Sequence, residues 1–180
     1  MAVTLKRKLD YEDYAGIPPD RNRHEIIDGD LVVTPAPSPI HQRVSRRLQR
    51  MLEDYFHARG LGEVFNAPID LILTFHDVVQ PDLVVATPPQ VSARGIEGAP
   101  LLVIEILSRS TAKQDRTVKS RRYASLGVVH YWIVEPEAHR LECYRLAAGE
   151  YAMLIQGEGD TVLVHPDWPG LSISLAELWR

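Results

Sequence analysis

Val44, Leu48, Met51 or Leu52, and Tyr55 recur every three or four positions, the signature of a helix with one buried face. That run opens at Ser38-Pro39, an N-cap residue followed by the residue best suited to the first helical turn, and it stops at Gly60. Denser apolar stretches at about 63–73, 78–86, 101–107 and 129–134 predict strands. Residues 24–28 and 31–34 flank Asp28-Gly29, a favoured tight-turn pair, and predict a hairpin; 140–145 and 151–155 predict a second across Gly149. Thr111 and Gln114 have capping-box spacing and open a predicted helix that ends at Leu126-Gly127. A lead-in helix is expected over 4–15, before Gly16 and Pro18-Pro19, and a last short one over 174–179, after the turn Trp168-Pro169-Gly170. Strand, helix and strand across 101–134 predict a parallel crossover in a mixed β-sheet flanked by helices, an α/β or α+β fold. No repeat or linker divides the chain, so 1–180 reads as a single domain with a lead-in at 1–22 and a C-terminal extension at 156–180.

Two acidic residues break this pattern. Glu105 lies inside Leu101-Leu102-Val103-Ile104-Glu105-Ile106-Leu107, and Asp82 lies inside Val78-Val79-Gln80-Pro81-Asp82-Leu83-Val84-Val85. An unpaired charge in an apolar core costs on the order of several kcal/mol, so such groups are neutralised, paired or bound to metal. Strand alternation puts Leu101, Val103, Glu105 and Leu107 on one face and Leu102, Ile104 and Ile106 on the other. Both faces are apolar, which predicts a central strand covered by helices on both sides. Pro81 marks a strand start, an edge or a bulge, places that often adjoin active sites. Carboxylates on neighbouring strands, followed by a basic helix, suit Mg²⁺ or Mn²⁺ and a phosphate substrate. The competing reading is a buried Glu paired with an Arg.

Lys119 falls inside the stripe formed by Ala112, Tyr123 and Leu126 of the next helix. Either it points back to the strand of Glu105, where it could stabilise charge on an attacking water or a phosphoryl oxygen, or it pairs locally with Asp115. Glu25 alternates with apolar neighbours and is either a further acidic ligand or the partner of an arginine. His41, in the first turn of the long helix, either reaches a phosphate or faces solvent.

The chain has 180 residues, 45% of them hydrophobic, which fits one well-cored domain. Its net charge of −4 excludes a protein that coats nucleic acid by bulk charge, so phosphate contacts must come from local clusters. Arg43, Arg46, Arg47 and Arg50 form one, and Lys113, Arg116, Lys119, Arg121 and Arg122 another; together they hold nine of the 20 basic residues. His41, Arg43, Arg47, Lys113, Arg116 and Arg122 are the candidate DNA contacts, against the alternative of solvated helix faces balanced by acids such as Glu53 and Asp54. A single cysteine, Cys143, excludes an internal disulfide and fits a reducing cytoplasm. Asp10, Glu12 and Asp13 stand where a signal peptide needs an apolar stretch, and no apolar run approaches the roughly 20 residues of a membrane span.

Pro81-Asp82, Glu105 in an apolar strand and Lys119 on the next helix resemble the PD-(D/E)XK nuclease superfamily, although Leu107 stands where its lysine usually lies. The likeness is closer still to the bacterial Uma-type restriction-endonuclease family. It is carried by His24-Glu25-Ile26-Ile27-Asp28-Gly29, Pro37-Ser38-Pro39 with His41-Gln42, Gln80-Pro81-Asp82-Leu83, Glu105-Ile106-Leu107-Ser108, Ser110-Thr111, Asp115-Arg116, Lys119, Tyr123, Gly127 and Tyr131-Trp132-Ile133-Val134. The resemblance implies a restriction-endonuclease-like core and hydrolysis of phosphodiester bonds. Asp82 and Glu105 would then hold the cation, Lys119 would replace the missing lysine, and Glu25 would assist.

The leading expectation is a metal-dependent DNA endonuclease. The alternative is a catalytically silent nuclease-fold module that binds DNA or a protein partner. A glycosidase would need an aromatic-lined cleft, but aromatics make up only 7% of the chain. A homodimer is expected, because duplex cleavage matches two-fold symmetry and because Trp168, Leu171, Ile173, Leu175 and Trp179 offer more apolar surface than a short tail needs.

Overall fold

The computed structural model describes residues 7–180, so the start of the helix expected over 4–15 lies outside the described residues. Its visible part is shorter than expected. The Asp10 carboxylate accepts from the Glu12 and Asp13 amides, while Asp13 accepts from the Asp10 amide, and this capping box starts α1 at Tyr11–Ala15. β1 (Arg23–Ile27) and β2 (Asp30–Thr34) form the expected hairpin. Asp28 and Gly29 take φ values of 50° and 82°, the left-handed pair that a two-residue turn requires. α2 (Pro39–Phe56) begins under the Ser38 hydroxyl, which accepts from the His41 amide, and buries Val44, Leu48, Leu52, Tyr55 and Phe56.

The two apolar stretches expected as single strands are each divided at a proline. Pro68 separates β3 (Glu63–Asn66) from β4 (Leu71–Thr74), and Pro81 separates β5 (Asp77–Val79) from β6 (Leu83–Ala86). Proline donates no ladder hydrogen bond, so a strand cannot run through it undisturbed. The halves go to different sheets. With β7 (Val91–Ser92) and β8 (Gly95–Glu97), one sheet has the order β2-β1-β5-β4-β8-β7.

The second sheet adds β9 (Leu102–Ile106), β10 (His130–Glu135), β11 (Arg140–Ala147) and β12 (Glu150–Glu158) in the order β12-β11-β10-β9-β6-β3. β9 and β10 pair in parallel, as the crossover required, and β11 and β12 form the second hairpin. Between β9 and β10 lie α3 (Ala112–Gln114), a π-helical turn (Asp115–Lys119) and α4 (Ser120–Ser125), not one continuous helix. Nor does Thr111 form a capping box: its backbone is already helical and its hydroxyl accepts from the Ser108 amide.

β13 (Val162–Val164), β14 (Ser172–Ser174) and α5 (Leu175–Trp179) close the chain against α2. Leu171, Ile173 and Leu175 are buried in the core shared with α2, and Trp168 and Trp179 pack against it. This removes the apolar C-terminal surface from which a dimer was expected. Leu102, Ile104 and Ile106 face that core, where each fully buried aliphatic contributes about 1.5–3 kcal/mol. Val103 and Leu107 face a second core built with Ile27, Leu71, Val79 and Ile96 of the other sheet and Tyr123 of α4. The central strand is therefore covered by helices on one side and by a sheet plus one short helix on the other, not by helices on both.

Candidate active site at the seam of the two sheets

β1 delivers Glu25, and the chain that crosses between the sheets after Pro81 delivers Asp82. β9 delivers Glu105, and the π-helical turn delivers Asp115 and Lys119. All five are buried, and all five line one cavity of about 200 Å³, closed by Thr34 to Ser38 on one side and by Ser108, Ser110, Thr111 and Gln114 on the other. The Lys119 ammonium donates to Oε1 of Glu25 at 2.9 Å and to Oε1 of Glu105 at 3.0 Å, with Asp115 at 3.7 Å. The Tyr123 hydroxyl donates to the same Glu105 oxygen at 2.9 Å, so among the described residues both hydrogen bonds to Glu105 fall on Oε1. The Gln80 amide donates to Glu25 at 2.8 Å.

Asp82 is held at both oxygens. Arg23 donates to Oδ1 at 2.9 Å; the His41 Nε2 and the Ile106 amide meet Oδ2 at 2.9 and 2.8 Å. Burial works to raise the Asp82 pKa, but His41, Arg23 and the Ile106 amide outweigh it and hold the carboxyl below its ordinary value. Glu105 behaves oppositely. Burial, reinforced by Asp115, Asp82 and Glu25, pushes its pKa well up despite Lys119. Burial works to lower the Lys119 pKa, but Glu105, Glu25 and Asp115 outweigh it and hold the ammonium above its ordinary value. One ammonium shared among several carboxylates stays protonated, and the most crowded carboxylate takes up the strain.

Four carboxylates thus face two permanent cations, Lys119 and Arg23. The cluster of carboxyl oxygens matches the donor chemistry of a hard divalent ion. Among the described residues no three His, Cys, Asp or Glu side chains converge as a preformed cage. Mg²⁺ needs none, since it is commonly bound through one or two carboxylates plus water and phosphate. Asp82 and Glu105 supply oxygen donors to the cavity, and an ion there would have to take its remaining ligands from water and substrate.

The other expected residues divide into two groups. Arg116 donates to Glu142 at 2.6 Å and to Glu135 at 3.0 Å, Arg122 donates to both oxygens of Asp77 at 2.7 and 2.6 Å, and Arg47 donates to the Leu178 carbonyl at 3.2 Å. Arg116 and Arg122 are tied into the fold by acids, which corrects the picture of a one-sided basic stripe. Arg43 and Lys113 are exposed, and neither they nor the three arginines above line the cavity. His41 does not face solvent; it grips Asp82. Arg23 went unnoticed in the sequence, although it stands two residues before Glu25 in the same strand and so shares its face. Asp115 was read only as a local partner of Lys119. The wide π-helical turn aims both side chains inward, and such turns concentrate at functional sites.

The fold has a counterpart among known proteins. A putative nuclease from Anabaena variabilis assigned to DUF820 superposes with a TM-score of 0.76 over 95% of this chain and 97% of its own, at 18% identity. At that identity the likeness is one of fold alone. No curated protein matches. The family model Uma2, described as "Putative restriction endonuclease", matches residues 10–176, which include every residue of the cavity. By that match across nearly its whole length, the chain belongs to the Uma2 family.

Proposed function

We propose that this protein hydrolyses DNA phosphodiester bonds as a Mg²⁺- or Mn²⁺-dependent endonuclease, with Asp82, Glu105 and Lys119 as its catalytic residues and Glu25 assisting. Family and fold support a nuclease in general. The observation that carries the finer reading is the buried Lys119 ammonium, held between Glu25 and Glu105 in a cavity that also receives Asp82. Four carboxyl groups beside Lys119 and Arg23 are more than two structural ion pairs need, which supports a reading in which a divalent cation joins them.

Asp82 and Glu105 would hold the divalent ion, which when bound neutralises phosphate charge and acidifies water. Lys119 would orient a water and stabilise charge on a phosphoryl oxygen, the role that Leu107 cannot fill. Glu25 and Asp115 keep that ammonium charged and aimed. Arg23 and His41 fix the Asp82 carboxylate, and each can turn towards an entering phosphate. In a plasmid-nicking assay, activity is expected with Mg²⁺ or Mn²⁺ and lost with EDTA and in Glu105→Gln.

One observation favours the silent-module reading: both Asp82 oxygens are already engaged. Duplex binding without hydrolysis under any divalent ion would establish it. The single domain over 1–180, the cytoplasmic location and the homodimer belong to the same proposal. Among the described residues no helix is long and apolar enough to cross a membrane. With the C-terminal apolar residues packed inward, the dimer rests on the two-fold symmetry of duplex DNA. A monomer mass by light scattering, with and without DNA, would remove it.

A further inference from the structure

Beside the catalytic cavity lies a second, larger one of about 450 Å³, and the two share Arg23, Ala36, Pro37, His41 and Asp82 as a common wall. Its remaining lining comes from the segment before β1, the outer face of α2, the end of β3 with the turn after it, and Gln80, and includes Arg21, Gln42, Arg46 and Asn66. Three features set it apart. Asp82 is the one carboxylate among its lining residues, and that acid belongs to the shared wall. Arg21 and Arg46 are exposed, and neither makes an ion pair among the described residues, unlike Arg23, Arg116 and Arg122, which are committed to acids. Apart from the His41 imidazole, no aromatic ring lines it, and its apolar lining is limited to alanines and prolines.

We infer that this groove seats the duplex DNA backbone that flanks the scissile phosphate, with Arg21 and Arg46 contacting phosphates and the Gln42 and Asn66 amides facing sugar or base edges. The inference rests on the nuclease reading of the adjoining cavity. A strand that presents one phosphate to Asp82 and Glu105 must continue past the Arg23–His41 wall, and this groove begins there. Small-molecule pockets are lined mainly by apolar and aromatic side chains, which this groove lacks. Single-strand sites stack bases on aromatic rings, and none is available here. Unpaired guanidinium groups with amides are the equipment of backbone positioning on a duplex. The assignment moves the DNA contacts from Arg43 and Lys113 to Arg21 and to Arg46, which lies on α2 with Arg43 but lines the groove.

The test is fluorescence anisotropy with a labelled duplex in the Glu105→Gln background, so that binding is read without cutting. Every variant is compared within this one background, so any effect of Glu105→Gln on binding is common to all of them. Arg21→Ala/Arg46→Ala is expected to weaken binding by about tenfold or more at physiological salt and to lower the slope of log affinity against log salt by about 2, the loss of two phosphate contacts. Arg43→Ala/Lys113→Ala is expected to change neither. All four arginine and lysine positions are exposed, and thermal melts confirm that the variants fold. Unchanged duplex binding by the Arg21/Arg46 variant overturns the groove while leaving the nuclease reading intact. A single-stranded oligonucleotide bound as tightly as the duplex overturns the duplex assignment. Failure of wild type to hydrolyse any DNA, scored separately by plasmid nicking, overturns the nuclease reading itself.

Discussion

Lys119 and Glu25, 94 positions apart in the chain, meet at 2.9 Å with both side chains buried. The contact joins the π-helical turn that follows one sheet to the second strand-bearing layer, and Glu105 completes it at 3.0 Å. Its two sides are not equivalent. Lys119 has three carboxylates within 4 Å, whereas Glu25, Glu105 and Asp115 share that one ammonium.

This asymmetry sets opposite expectations for two substitutions in metal-free buffer. Lys119→Met leaves buried carboxylates without their cation and should cost about 3–5 kcal/mol. Glu105→Gln leaves Lys119 with Glu25 and Asp115 and relieves crowding, so its cost should stay near 1 kcal/mol, about that of one altered hydrogen bond. Denaturant melts of the two variants in EDTA decide the matter. Equal destabilisation would show that Glu105 serves the fold as much as Lys119 does.

Catalysis should separate the same residues differently. Lys119→Gln retains the shape of the cavity but removes the charge, and a fall of about 10²–10³ in turnover is expected with DNA affinity retained. Single-turnover nicking measured alongside anisotropy reads both quantities. A loss of affinity with turnover intact would place Lys119 in binding instead.

Arg122 offers a control for the DNA path. Its guanidinium donates to Asp77, a buried carboxylate that also accepts from the Asp28 amide and the Thr74 hydroxyl. Arg122→Ala should lower stability by about 1.5–3 kcal/mol, the range for hydrogen bonds to a charged group, and leave duplex affinity unchanged. A stable variant with weakened binding would restore Arg122 to the DNA surface.

A pH effect should arise far from the cavity, at His165. This imidazole is buried against Trp132, Trp168 and His130. Burial, with help from His130, lowers its pKa from 6.5 to about 4. The unfolded chain therefore binds a proton below 6.5 that the folded chain refuses until about 4. Stability from this group is complete above 6.5 and is lost as the pH falls towards 4. Asp77 and Asp82, whose pKa values are lowered, also lose stability on acidification, so the comparison with His165→Gln isolates the effect. Melting temperatures at neutral and mildly acidic pH should fall by several degrees more in wild type, at about 2–4 °C per kcal/mol. Parallel curves would remove His165 as the cause.

The parts of this architecture set by local chemistry were legible in the sequence. The hairpins at Asp28-Gly29 and Gly149, the capped long helix and the parallel crossover around Glu105 follow from turn residues, an N-cap and periodicity. Apolar periodicity does not say which sheet a strand joins, so the stretches broken by Pro68 and Pro81 read as single strands although their halves part company. Asp82, Glu105 and Lys119 stood out because polar residues interrupt apolar stripes. Arg23 and His41 sit where a charged or polar residue is unremarkable, at a strand start and in a first helical turn, and only long-range pairing brings them to Asp82. The segment of Arg116 and Arg122 resembles a nucleic-acid face in the sequence because its acidic partners, Asp77, Glu135 and Glu142, lie on distant strands.

The crossing at Gln80-Pro81-Asp82 has a mechanical side. One end is fastened to the first sheet through the Gln80 amide and Glu25, and the other to the second sheet through Asp82 and the Ile106 amide. The cavity therefore works like a caliper whose jaws are the two sheets: when one sheet slides over the other, the spacing of Glu25, Asp82 and Glu105 changes with it. Val84 and Val103 are wedged between those jaws in the shared core. Their volumes therefore bear on the spacing of the charged groups at the seam, so the packing between the sheets and the geometry of the cavity are set together.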